Sequence, residues 1–380
     1  MSNTNNDELI SLYSHIDGSS GRDIELQPGT LKDQLAEASQ YLQYSSVHVP
    51  IHSDNIKWVA YQAAAELEKA VEWLNEASNQ DDLYFRVGFS DGNNFGARID
   101  ENRARNSSIR DCLITIRLGS IPLLIGIGNR LNTLSQSPLL ASIMLGHSDR
   151  DFGVIPFDPE IDPIGSTVWE QDTQSGMDHT LANVVNALLL MFFHEASHGC
   201  AAHGYIWNKR KDDLLEAQYH RAMEMEADWG AGMLYVKYRS ATSNYDARTL
   251  CKQLLYGSQC NYLGLQIARG LTGGPDTHYH LPHTRTHCTL YGAQQAWEAI
   301  TCFDQSFVDL INEAYASIDL VEKLFSKKIK GWLSYDNARS ERDMAGSRSI
   351  SRPMIDELQK SHAYKRARPF DILKGLPAAI

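Results

Sequence analysis

The stretch LLLMFFHEASHGCAAHG, residues 188–204, joins a run of apolar residues to two histidines that stand four residues apart. Residues at this spacing lie on one face of an α-helix, one turn from each other, so His194 and His198 can aim their imidazoles at one ion. Glu195 follows the first histidine, where its carboxylate would lie beside the ion as a base must in order to deprotonate a water. The stretch therefore predicts a zinc site on a buried helix.

A third ligand is expected elsewhere, because catalytic zinc takes three protein ligands and keeps one position open for water. The segment HRAMEMEADWGAG, residues 220–232, places Glu224 and Asp228 four residues apart on one helix face, whereas Glu226 points about half a turn away. We predict Glu224 as the third ligand. Asp228 then fits as the carboxylate that accepts the spare N–H of a ligand histidine. The small residues 230–232 would let this helix approach the first one closely.

His203 is a rival ligand, because it follows the HExxH pattern closely. Nine residues along a continuous helix from His194 place it on the opposite side, so it can join the site only if the helix breaks. Gly199 and Gly204 make such a break feasible. Without a ligand role, His203 is expected to be a hydrogen-bonding residue at the helix end.

Two further alternatives for this site stay open. His220 shares a helix face with Glu224 and would also lie beside the metal. It ranks below Glu224 because the glutamate has Asp228 one turn further on to support the site. The other alternative needs no metal, because His194 and His198 could be core histidines with ordinary hydrogen-bond partners.

These segments together resemble a known group of enzymes. FFHEASHGCAAH followed by EMEAD is similar to the gluzincin metallopeptidases, in which HExxH pairs with a downstream ExxxD. The similarity is greatest to the Lit-like phage-exclusion peptidases and covers about residues 181–236. The resemblance implies a Zn²⁺ cofactor and a protein or peptide substrate. It also implies a base, Glu195, three metal ligands and a supporting carboxylate, namely His194, His198, Glu224 and Asp228.

A downstream segment supplies candidates for stabilising the transition state. GGPDTHYHLPHTRTHCTLYG, residues 273–292, concentrates histidine, tyrosine and arginine. Peptide hydrolysis builds negative charge on the carbonyl oxygen, and a nearby donor stabilises it. The catalytic candidates are His280, His283 or Arg285, with Tyr279 or Tyr291 as substitutes. The alternative is that this segment is a polar surface loop or a second metal site.

The segments before the motif predict a small sheet ahead of the HExxH helix. LYFRVGF, residues 83–89, and CLITIRLG, residues 112–119, are typical of strands in their alternation and in the turn residues around them. Zincin substrates commonly pair with an edge strand, and by that analogy residues 112–119 are the expected edge strand. Residues 121–134 fit either a strand or a helix, because periodicity does not decide for so short an apolar run.

The predicted fold class is α+β, a mainly helical zincin-like metallopeptidase. Apolar periodicity and capping residues predict helices at residues 56–77, from Asp178 or Thr180 to His198, at about 214–238, at 293–301 and at 303–333. Three regions follow: a helical N-terminal region at 1–80, the metallopeptidase domain at 81–333 and a basic C-terminal extension at 334–380. The extension either docks on a surface or stays solvated.

Composition limits the classes of partner. The 380-residue chain has a formal net charge of −12, so it lacks the basic field with which proteins hold nucleic acid. The apolar run at residues 181–193 is interrupted by Asn183 and Asn186 and is too short to span a membrane. No secretory signal is expected from the first residues. We therefore expect a soluble, cytoplasmic protein, while its oligomeric state stays open.

The sequence thus predicts a zinc-dependent endopeptidase that hydrolyses a protein substrate, in defence or in regulation. Two alternatives belong to other classes. In one, zinc only braces two helices of a binding or regulatory module, and the site has no open position for water. In the other, the protein is a metal hydrolase that acts on a substrate other than a peptide.

Overall fold

The computed structural model describes most of the chain between residues 53 and 312 and a few positions further on. The described residues are 53–77, 83–90, 95–103, 110–117, 119–121, 123–125, 127–128, 174–210, 216–270, 278–301, 307–312, 342, 345–347 and 349–350. Residues 1–52 of the predicted N-terminal region and most of the C-terminal extension lie outside this set. The described part is mostly helical with one three-stranded sheet, so the α+β prediction is confirmed.

Among the described residues, six helices of eight residues or more build the helical part. They are α1 Ser53–Ala77, α2 Gln174–Cys200, α3 His203–Arg210, α4 Glu216–Thr242, α5 Ala247–Gly270 and α6 Pro282–Thr301. Helix α2 begins before both predicted caps, Asp178 and Thr180. Helix α6 begins at Pro282 rather than at Ala293, and proline is favoured at a first helical position because its φ is preset and its missing N–H is not needed there. Helix α5 was not predicted.

The sheet corrects one prediction. Its strands are β1 Leu83–Ser90, β2 Ala97–Arg103 and β3 Arg110–Arg117, in the order β1-β3-β2. β3 pairs in parallel with β1 and antiparallel with β2, so it is the central strand. The prediction that residues 112–119 form the edge strand is therefore wrong. A nearly continuous buried run such as CLITI is typical of a central strand, because both of its faces and both of its edges are covered.

Helix α2 lies at the centre of the core. Its residues from Val184 to Phe193 pack against α1, the sheet, α4 and α5 in one apolar cluster. The predicted apolar stripe of α1 is buried in the same cluster, as the spacing of Val59, Leu67 and Leu74 indicated. Each such side chain contributes about 1.5–3 kcal/mol when it leaves water. No helix among the described residues is both long and apolar enough to span a membrane.

Glycines allow α4 to lie unusually close to two other helices. A Cβ atom at Gly230 would stand 2.5 Å from the Ser197 hydroxyl of α2. A Cβ atom at Gly232 would overlap the carbonyl of Thr289 in α6, and one at Gly292 would overlap the carbonyl of Trp229 in α4. The prediction that small residues permit a close approach is confirmed. This packing brings the acidic residues of α4 to the histidines of α2 and to the first turn of α6.

We expect Gly232→Ala to destabilise the protein by about 3 kcal/mol or more, because the added methyl group meets backbone that cannot rotate away. Thermal unfolding followed by circular dichroism measures the change as a lower Tm. Gly346→Ala is the matched control, since nothing lies within 4 Å of a Cβ atom there. Equal Tm values for Gly232→Ala and the parent protein would contradict the close contact of α4 with α6.

Candidate metal centre

Three side chains from two helices converge on one point. The Nε2 atoms of His194 and His198, both on α2, lie 3.1 Å apart. Glu224 of α4 places Oε2 3.4 Å from Nε2 of His194 and Oε1 3.4 Å from Nε2 of His198. One ligand atom from each of the three residues lies within 4.8 Å of the others, which makes them a group able to hold a metal ion.

The donor set and its spacing fit zinc. Zinc binds imidazole nitrogen and carboxylate oxygen at roughly 2.0–2.2 Å, and tetrahedral geometry then separates neighbouring ligand atoms by about 3.3 Å. The observed separations of 3.1 Å and 3.4 Å bracket this value. Because each imidazole faces a different oxygen of Glu224, the carboxylate can meet the ion through either oxygen or both. Two imidazoles and one carboxylate are a protein ligand set used by catalytic zinc sites.

Asp228 lies directly behind His194. Its Oδ1 atom is 2.8 Å from Nδ1 of His194, so the ring turns its Nε2 atom towards Glu224. Asp228 is fully buried and also accepts two hydrogen bonds from Arg285, at 2.7 Å and 2.8 Å, and one from the Tyr262 hydroxyl at 2.8 Å. Burial opposes ionisation of Asp228, but Arg285 and His194 outweigh it and hold the pKa of the carboxyl below its usual value.

The centre favours a positive charge between its carboxylates. Burial disfavours the charged form of His194, but Asp228 and Glu224 outweigh it and raise the pKa of the ring to about 10. The pKa of Glu224 lies well below its usual value, because hydrogen bonds from both histidines and the charge of Arg285 overcome the effect of burial. Since a buried carboxylate pair is costly without compensation, a cation stabilises this arrangement. A metal ion and a proton are alternative sources of that charge.

Glu195 adds a further, half-buried carboxyl group beside His194. Burial raises its pKa, and the neighbouring His194 and His198 oppose that rise. With Glu195 ionised and both imidazoles neutral, as metal ligands are, three carboxylates and the Arg285 guanidinium give the group a formal charge of −2, which one divalent cation balances. The charge of the centre therefore suits a divalent cation.

The sequence left two roles open for His203, that of a metal ligand and that of a hydrogen-bonding residue at the helix end. Helix α2 ends at Cys200, and Ala202 has a φ of 53°, so the chain reverses before α3 begins. The break brings the His203 ring back to α2, where its Nδ1 atom lies 2.7 Å from Nδ1 of His198. Its Nε2 atom lies 3.1 Å from Oε2 of Glu226. His203 therefore contacts the rear of a proposed ligand rather than the point at which the three ligands meet.

The predicted transition-state donors occupy different places. Arg285, in the first turn of α6, is buried and donates from Nη2 to Oε2 of Glu224 at 2.9 Å, while the same atom lies 3.4 Å from Nε2 of His194. Arg285 thus lies within the centre, where its N–H groups donate to the carboxylates of α4. His280 is also buried, and its Nε2 atom lies 2.9 Å from the hydroxyl of Ser347 in the C-terminal region. The side chain of His283 lies outside the described residues.

His220 lies at one side of the centre, within a group of aromatic rings. Its Nδ1 atom donates to the carbonyl of His278 at 3.0 Å, and its Nε2 atom is 4.0 Å from Oε1 of Glu224. The rings of Trp207 and Tyr279 stand edge-on to it, with centroids at 5.2 Å and 4.9 Å. The substitute donor Tyr279 therefore lies close to the centre. Tyr291, the other substitute, lies on α6 with its side chain exposed.

Sequence reasoning missed Tyr262 altogether. This residue lies on α5, its hydroxyl donates to Asp228, and its oxygen also lies 2.7 Å from that of Thr289. Its ring faces the Arg285 guanidinium, 4.9 Å from the centroid. No local pattern marks a lone tyrosine in an unpredicted helix. The signal that could have found it is indirect, because a buried aspartate needs several donors.

Comparisons with known proteins add no family assignment. No family model, no curated protein and no solved structure matches this chain. The resemblance of HExxH and ExxxD to the gluzincins thus stays a prediction from the motif.

Proposed function

We propose that the protein is a zinc-dependent peptidase with a zincin-like active site. His194, His198 and Glu224 would bind the metal. The observation that carries the proposal is the convergence of two Nε2 atoms and both oxygens of Glu224 at separations of 3.1 Å and 3.4 Å. Support comes from the placement of HExxH and ExxxD on two helices that face each other, with the acidic member of HExxH next to a ligand.

Glu195 is the proposed general base and acid. When bound, zinc supplies Lewis acidity that brings the pKa of water to about 7 and polarises a carbonyl. Glu195 accepts the proton of the attacking water and delivers it to the leaving amine. Burial raises the pKa of Glu195, which strengthens it as a base. This proton transfer lets the amine leave as a neutral group.

The remaining residues orient the centre and balance its charge. The Asp228 carboxylate, 2.8 Å from Nδ1 of His194, favours a hydrogen on that nitrogen and so leaves the other ring nitrogen for the metal. Arg285 holds Glu224 and Asp228 together by donating to both. Arg285, His280 and His283 remain the proposed donors for the charge that develops on the carbonyl oxygen. For Arg285 this role requires an N–H to turn from Glu224 to the substrate.

A second candidate function is a zinc-braced module without catalysis, and burial favours it. The side chains of His194 and His198 are only 13% and 14% exposed, and that of Glu224 is 9% exposed. Nη2 of Arg285 also stands close to the proposed metal position, 3.4 Å from Nε2 of His194. Both observations leave little of the centre in contact with solvent. We prefer the peptidase because a purely structural site has no use for Glu195 beside its ligands.

Metal analysis and peptide turnover test the proposal together. We expect the purified chain to contain about one zinc ion and to cleave members of a peptide library, with turnover abolished by a chelator and restored by zinc. The measurements are elemental analysis and mass spectrometry of the products. Zinc without cleavage of any peptide would support the braced module. A chain that binds no zinc would contradict both functions.

A further inference from the structure

Three side chains behind the centre form a continuous polar chain. His198 of α2 contacts His203, the first residue of α3, through their Nδ1 atoms at 2.7 Å. The other nitrogen of His203 lies 3.1 Å from a carboxylate oxygen of Glu226 on α4. His203 is only 3% exposed, so water does not replace either partner. This polar chain therefore links the carboxylate of Glu226, which is not one of the three already described, to one of the proposed ligands.

The partners decide where the hydrogens lie. The carboxylate oxygen of Glu226 accepts, so His203 donates to it from Nε2. A neutral His203 ring then accepts at Nδ1, which requires His198 to carry its hydrogen on Nδ1. A neutral imidazole has one N–H, so Nε2 of His198 is left with a lone pair. That lone pair faces Glu224 and His194, as a metal ligand at this position needs.

The backbone between the two histidines is built around this contact. Ala202 has a φ of 53°, a left-handed conformation that costs a residue other than glycine about 1–2 kcal/mol. It is completely buried, and its N–H donates to the carbonyl of Gly199 at 3.1 Å, which closes the turn. Such a conformation persists only where the surroundings stabilise it. Here it returns the His203 ring to His198 directly after α2 ends.

We propose that His203 and Glu226 are positioning residues of the metal centre, which fix the tautomer and orientation of His198. The inference rests on the proposed function, because it takes Nε2 of His198 as a zinc ligand. The two ligand histidines are then supported differently. Asp228 contacts His194 directly at 2.8 Å, whereas Glu226 acts on His198 through the intervening imidazole.

Zinc affinity is the first test. We expect His203→Leu to raise the zinc Kd about 10- to 100-fold, because the N–H of His198 loses its acceptor. His203→Asn places an amide oxygen where Nδ1 stood and should recover most of the lost affinity. Competition with a chromophoric chelator measures both values on the full-length chain. Glu226→Leu and Glu226→Gln form the matched pair at the other end of the hydrogen-bonded series. Glutamine still offers an oxygen to His203, whereas leucine does not.

The tautomer of His198 is the second test, and it needs no metal. In ¹⁵N-labelled metal-free protein, NMR should find the His198 hydrogen on Nδ1. We expect His203→Leu to shift it towards Nε2 and His203→Asn to keep it in place. A merely structural role for His203 would lower Tm in both variants and leave the tautomer unchanged.

The outcomes separate this inference from the proposed function. A parent protein that binds no zinc contradicts the proposed function, and the tautomer measurement then still decides whether His203 controls His198. If the parent protein binds zinc and His203→Leu binds it equally well with an unchanged tautomer, the positioning role is wrong while the metal centre stands.

Discussion

We expect the Glu195→Gln protein to bind zinc as the parent protein does and to hydrolyse peptides about 10²- to 10⁴-fold more slowly, because glutamine cannot accept and return a proton. Glutamine has nearly the size of glutamate, so the packing beside His194 is kept. The three proposed ligands are unchanged, which is why metal content should not fall. Elemental analysis measures the metal content, and the cleavage of a library-derived peptide measures the rate of hydrolysis.

The matched control for this substitution is Glu76→Gln, which makes the same chemical change at an exposed position on α1. It should leave both metal content and turnover at the level of the parent protein. Undiminished hydrolysis by Glu195→Gln would show that Glu195 is not the base. Loss of zinc from Glu195→Gln would instead place its carboxylate among the ligands, contrary to its expected position beside the metal.

The second large effect is expected at Glu224. Glu224→Ala should weaken zinc binding by more than the roughly 10- to 100-fold typical of losing an outer partner, because it removes a ligand. Glu226→Ala, two residues away on the same helix, should stay within that smaller range, since Glu226 reaches the centre only through His203. Chelator competition on the two variants measures the difference.

The comparison of Glu224 with Glu226 is well controlled. Both substitutions replace glutamate by alanine within α4, so their effects on helix propensity are alike. Circular dichroism of the metal-free proteins checks that each variant folds, and Arg285 keeps its two hydrogen bonds to Asp228 when Glu224 is absent. Equal losses of affinity would mean that the wrong carboxylate has been chosen. Unchanged affinity in Glu224→Ala would remove the metal centre as proposed.

Where a pattern repeats along one element, its period predicts which face of that element is buried. The spacing of Val59, Leu67 and Leu74 predicted the buried face of α1, and that prediction is confirmed. The i and i+4 relation placed His194 with His198 and Glu224 with Asp228, because side chains one turn apart share a helix face. These are local facts, and a single helix is enough to establish them.

Local patterns do not predict how strands pair or how separate elements pack against each other. The strand CLITI was mistaken for an edge strand, because a strand's own residues do not say which neighbours will flank it. Tyr262 lies in a helix that no local pattern had marked. The role of His203 depended on whether Ala202 would adopt a left-handed conformation, which the packing around the turn decides and its own residue type disfavours.

By itself, the sequence determined which side chains can face one another along a helix and hence which residues compete for a metal. Only the tertiary structure decided that α4 lies against α2 and α6, with glycines at the crossings, so that Glu224 meets both histidines and Arg285 meets Glu224 and Asp228. The physical reason is that helix geometry follows from local backbone dihedral angles, whereas the approach of two helices follows from the burial and fit of side chains far apart in the chain.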